Sequence, residues 1–134
     1  MADSYTRDPS RVDKALRQKG IVVVMARDYA RNPQDVINTI QAISEAGYIA
    51  EVTFRIPEGI VKEAMVELRK RREETFRTRP NDPMVIGVGS VINPRELEAA
   101  IEMGFDMVVG PDTCMGGCRE PIEFKDDRKN RRLK

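Results

Sequence analysis

Apolar residues recur along this chain in two alternating rhythms. One has helical spacing, and the other is a short uninterrupted run. Val12, Ala15 and Leu16 form an i, i+3, i+4 stripe within residues 8–19, which predicts a short opening helix. Asp8 or Ser10 suits its cap, Pro9 its first turn and Gly20 its end. The run Ile21-Val22-Val23-Val24-Met25-Ala26 then predicts a strand buried on both faces, closed by Arg27-Asp28. Asn32 and Pro33 open a second helix, in which Val36, Ile37, Ile40, Ile43 and Ala46 share a face before Gly47. Residues 48–54 read as a strand with a carboxylate, Glu51, inside it.

The rhythm repeats. Ile60, Val61, Ala64, Met65 and Leu68 line one face of a helix over residues 58–76, and residues 78–83 carry loop chemistry. Met84-Val85-Ile86-Gly87-Val88 is the third strand expected. Asn93-Pro94 starts a helix with Leu97, Ala100 and Ile101 inward, and residues 105–109 form a fourth strand before Gly110-Pro111. The prediction is an α/β chain: a short N-terminal helix, then β-α-β-α-β-α-β with short connections, hence a parallel sheet. About four such units amount to half of a (β/α)₈ barrel, which needs roughly 200 residues or more when whole. Residues 1–118 form the expected partial-barrel domain. Residues 119–134, dense in charge and without an apolar stripe, are expected to be a disordered tail.

Charge and composition narrow the choice. With 134 residues and a net charge of +1, the chain is one domain at most and carries no global field favouring nucleic acid or membrane. Residues 119–134 hold seven Lys and Arg against four Asp and Glu, a net +3 that leaves −2 for the first 118. So small an excess supports only weak, salt-sensitive attraction to an anionic partner. The mixed charges of residues 69–74 read as a solvated helix end rather than a phosphate or RNA patch. No membrane-length apolar run or signal-peptide pattern is present, so a cytoplasmic location is the expectation. Cys114 and Cys118 would supply only half of a zinc site, and histidine is absent. Neither a metal nor another cofactor is expected, and no Ser/His or Cys/His nucleophile pair can form.

Two stretches put polar chemistry at strand ends, where parallel barrels build their sites. Glu51, Thr53 and Arg55 alternate, so one sheet face can present an acid, a hydroxyl and a guanidinium. A buried carboxylate is costly unless paired, protonated or functional. A self-satisfying Glu51–Arg55 ion pair explains the pattern as well as a catalytic role does. Gly87-Val88-Gly89-Ser90 ends the third strand in small residues that let a ligand near backbone amides, with Ser90 offering a hydroxyl. Plain packing explains those glycines equally well.

Together these motifs resemble the 2-keto-3-deoxy-6-phosphogluconate / 4-hydroxy-2-oxoglutarate aldolases, class I lyases on a (β/α)₈ barrel. The likeness spans about residues 15–112: residues 21–27, Glu45-Ala46-Gly47, Glu51-Val52-Thr53-Phe54-Arg55, Gly87-Val88-Gly89-Ser90-Val91 and residues 102–111. Ser90 stands where the family usually has threonine. The resemblance implies that Glu51 moves protons, that Arg55 and Ser90 hold the pyruvyl carboxylate, and that Pro111 lies beside the pocket. Arg27, displaced by one residue, fills the place of an arginine lining the site. It also implies a keto acid or sugar acid as ligand.

The family's Schiff-base lysine and phosphate cradle come later than this chain runs. Lys14, Lys19, Lys62 and Lys70 lie away from strand ends, and Lys125, Lys129 and Lys134 lie in the tail. The expectation is a truncated chain that keeps the acid and the carboxylate clamp but is inactive alone, for want of an electron sink. The alternative is a non-catalytic half-barrel whose exposed strand edges pair with a second copy or with a full-length homologue.

Overall fold

A computed structural model describes residues 5–110 and, as backbone, residues 122–125 and 130–133. Its order is α1 (Pro9–Lys19), β1 (Val22–Val24), a single 3-10 turn (Arg27–Tyr29), α2 (Pro33–Glu45), β2 (Ile49–Thr53), α3 (Glu58–Thr78), β3 (Ile86–Gly89), α4 (Pro94–Met103) and β4 (Met107–Val108). The four strands form one parallel sheet in the order β1-β2-β3-β4. Each strand therefore lies beside its predecessor, as consecutive units do around half of a barrel.

Local chemistry starts the helices where the sequence places them. The Asp8 side chain accepts from the Ser10 N–H at 2.9 Å, and Asn32 accepts from the Asp35 N–H at 2.9 Å. Asn93 does the same for the Glu96 N–H at 2.8 Å. Pro9, Pro33 and Pro94 occupy first-turn positions, where a missing N–H costs nothing. Gly20 and Gly104 end α1 and α4 at φ 68° and 88°, a left-handed conformation that a side chain would strain.

Side-chain alternation then assigns the two faces of the sheet. Ala50, Val52, Ile86 and Val88 point to one side, where they meet Val36, Ile37 and Ile40 of α2, Val61, Ala64, Met65 and Leu68 of α3, and Leu97 and Ala100 of α4. Full burial of each large aliphatic there contributes about 1.5–3 kcal/mol relative to exposure. The opposite face carries Val22, Ile49, Val85 and Met107, against which α1 lays Val12 and Ala15. Beyond α1, toward the C-terminal strand ends, that second face holds Glu51, Gly87 and Gly89, with Val24 at the edge.

Two expectations need correction. β1 is three residues long and only half-buried, with Val24 56% exposed, because it is an edge strand and the chain turns away at Arg27. Within the stretch expected to be a disordered tail, β5 (Ile122–Lys125) pairs antiparallel with β6 (Asn130–Leu133). Ile122 and Phe124 alternate with Glu123 and Lys125, which is strand spacing rather than charge alone. Cys114, Cys118 and Pro111 lie outside the described residues.

Candidate functional site at the C-terminal strand ends

Glu51 occupies the middle of β2, paired in register with Val24 of β1 and Gly87 of β3. Its carboxylate bends toward the C-terminal end and lies over Gly89, where an added Cβ would collide with Glu51 Oε1. Gly87 is similarly covered by Met107, whose Cε would sit 2.7 Å from an added Cβ. The glycines do permit close approach, but the approaching groups are the chain's own side chains. Among the described residues Glu51 has neither an ion pair nor a hydrogen bond to its carboxylate, and burial pushes its pKa above the ordinary carboxylate value.

Arg55 sits in the turn after β2 rather than on the strand. The Thr53 hydroxyl accepts the Arg55 N–H at 3.1 Å and shapes that turn. Its guanidinium turns away from Glu51 to Glu96, donating from Nη2 to both carboxylate oxygens at 3.0 and 2.7 Å. The same nitrogen reaches the Ser90 carbonyl at 3.3 Å. The self-satisfying Glu51–Arg55 pair is therefore not formed. Ser90 follows β3 at φ 58°, the only non-glycine residue with positive φ among those described. A serine held there is strained, which marks a turn fixed by its surroundings.

The fold thus gathers Glu51, Gly89, Ser90 and Arg55 along one rim. Glu51 touches Gly89, Ser90 is next in sequence, and the Ser90 carbonyl receives Arg55. Arg27 is not brought in. It lies in the turn after β1, with its side chain in solvent 3.7 Å from Asp28. Such a rim can exchange a proton through a desolvated carboxyl and hold an anion near a guanidinium and a hydroxyl.

Glu96 is the member that sequence reading overlooked. Asn93-Pro94-Arg95-Glu96 has the Asn-x-x-Glu spacing of a capping box, a signal visible in the sequence. Here the Glu96 carboxylate accepts the Ile92 N–H at 3.0 Å and also takes Arg55.

Elsewhere, a cavity of about 290 Å³ lies between α1 and the α3–β3 loop, lined among others by Arg11, Lys14, Phe76 and Pro83. Two of its cations are already engaged: Lys19 binds Asp82 at 2.9 Å, and Arg11 stacks on Tyr5 and Phe76. Glu51 is not among the residues that line it, so the strand ends remain the stronger site. Among the described residues no three His, Cys, Asp or Glu side chains cluster as metal ligands, and no helix is long and apolar enough to cross a membrane. No model of a known protein family matches the chain, and no curated protein matches it in sequence.

Proposed function

We propose that this chain carries the acid/base carboxylate and the anion anchor of a 2-keto acid site, of the kind used by lyases that cleave 2-keto-3-deoxy sugar acids to pyruvate and an aldehyde. The observation that carries the reading is Glu51: a carboxyl on an open sheet face, unpaired among the described residues, raised in pKa by burial and lying against Gly89. A carboxyl poised upward in pKa is suited to give and take a proton beside a carbonyl. Ser90 and Arg55, the next groups along the rim, supply donors for the ligand's carboxylate. Lys14 and Lys19 lie on α1 and Lys62 and Lys70 on α3, so none of these amines stands at a C-terminal strand end. On this reading the rim binds 2-keto acids, and the described side chains bring no amine beside Glu51 for carbon–carbon cleavage.

Titrating the isotopically labelled chain with pyruvate tests this. Amide shifts should concentrate at Glu51, Gly89, Ser90 and Arg55, and borohydride should trap no lysine adduct. Shifts confined to the α1 cavity, or none, would overturn the reading.

One observation favours a second reading, an assembly module. Ile21 and Val24 leave apolar side chains exposed beside and along edge strand β1, and such edges pair readily with another chain. A second copy or a longer homologue would cover them. Light scattering decides: a well-behaved monomer at micromolar concentration sinks this alternative.

A further inference from the structure

We infer that Glu96 occupies the anion seat of Arg55, so that a carboxylate ligand binds here only by competing with one of the chain's own side chains. This rests on the reading that Arg55 anchors a ligand carboxylate, and it adds the residue that limits that anchor.

The bonding of Arg55 is lopsided. Nη2 alone serves Glu96 Oε1 at 3.0 Å, Glu96 Oε2 at 2.7 Å and the Ser90 carbonyl at 3.3 Å. Its two hydrogens are thereby used, while Nη1 and Nε have no partner among the described residues. A ligand carboxylate seeking a two-point grip on the guanidinium needs Nη2 as one of its donors, and Glu96 already holds it.

Glu96 is no wandering surface partner. Its N–H is tied to Asn93 at 2.8 Å and its carboxylate to the Ile92 N–H at 3.0 Å. It stands in the first turn of α4, where the helix dipole favours negative charge. Its side chain is 13% exposed against 41% for Arg55, so the resident carboxylate is the more deeply seated of the two. A second carboxylate arriving at Arg55 meets a cation already neutralised, with a like charge in contact. The fold therefore presets a weak affinity for small monocarboxylates and sets it through one residue.

Glu96→Gln keeps the shape, and its amide oxygen can still accept from Ile92 and Arg55, but the charge is gone. Pyruvate is the probe, titrated into the full chain at low ionic strength with the Gly89, Ser90 and Ile92 amides as reporters. The E96Q dissociation constant should fall about fivefold, the ratio fitting a partly exposed charge contact. The gain should shrink with added salt and vanish in E96Q/R55Q. Glu96→Asp, too short to reach Arg55 with both oxygens, should move affinity the same way and serves if E96Q folds poorly.

Unchanged or weaker binding in the folded variants, or binding by neither variant nor wild type, overturns the inference. A parallel Glu51→Gln titration separates the two claims. If E96Q tightens binding while E51Q leaves its pH dependence intact, the acid/base reading fails and the Glu96 competition stands. If E51Q removes that pH dependence while E96Q changes nothing, the reverse holds.

Discussion

Replacing Asp106 with asparagine should cost about 3–5 kcal/mol of stability, the usual penalty for leaving a buried cation without its partner. Asp106 and Arg72 are 1% and 4% exposed and meet at 2.9 Å. Asp106 Oδ2 also accepts the Ile86 N–H at 2.9 Å, Oδ1 accepts the Tyr5 hydroxyl, and the Tyr5 ring covers the Arg72 guanidinium at 4.2 Å. Arg72 Nη1 donates further to the Gly104 carbonyl at 2.7 Å, while its Nε has no partner among the described residues. Asparagine can reproduce the hydrogen bonds. Its oxygen replaces Oδ2, its amide faces Tyr5, and the phenol turns to accept. What it removes is charge alone, leaving Arg72 buried and uncompensated.

Urea unfolding followed by circular dichroism reads the loss as a midpoint lowered by about 2 M. A double-mutant cycle with Arg72→Met sharpens the test. In the D106N background that second change should be nearly free or even stabilising, because it removes the stranded cation. A D106N loss below about 1 kcal/mol, or additive single effects, would refute the reasoning.

Two further outcomes are expected. Because burial raises the Glu51 pKa, the folded chain holds that proton more tightly than the unfolded chain, so Glu51 costs stability as pH rises from about 4.5 through its folded value. Glu51→Gln should therefore be the more stable protein at neutral pH, by less than about 1 kcal/mol given the partial exposure. Urea midpoints across pH 4–8 should show that advantage fading on acidification, and a pH-independent difference would count against it. Gly89→Ala should stay within about 1 kcal/mol of wild type, since the atoms nearest the new Cβ belong to the flexible end of Glu51. It should nonetheless push the carboxyl toward water and erase the Glu51-linked pH dependence, and persistence of that dependence would show that the contact does not matter.

Local signals were legible in the sequence and long-range ones were not. Asn32-Pro33, Asn93-Pro94, Gly20 and Gly104 mark helix ends through chemistry confined to one turn, and the structure ends its helices there. The Ile21–Ala26 run overstates its strand, because apolar character reports a preference for burial and not whether neighbours exist to provide it. Arg72 hides among the mixed charges of residues 69–74. What separates it from Arg69 or Arg71 is a partner 34 positions away, for which no local spacing is a sign. Glu96 was half-visible: the capping spacing was there, but its hold on Arg55 crosses 41 positions. Gly87 and Gly89 signalled close approach correctly and left open what approaches.

The two acids of this sheet argue most directly for where chemistry belongs. Asp106, at the N-terminal ends of β3 and β4, receives Arg72, Tyr5 and the Ile86 amide, and every one of those contacts serves to hold the sheet together. Glu51, on the open face toward the C-terminal ends, receives no side chain among those described and is left where ionisation is disfavoured. A carboxylate that only served packing would be replaced at gain by an apolar residue of similar size, since Val24 flanks it in register on one side and Gly87, covered by the Met107 side chain, on the other. Parallel barrels place stability at one end of their strands and chemistry at the other. A buried, paired acid at the first end and one without a side-chain partner among the described residues toward the second reproduce that division within four strands, so the effects of changes at Asp106 and at Glu51 should separate in the same assays.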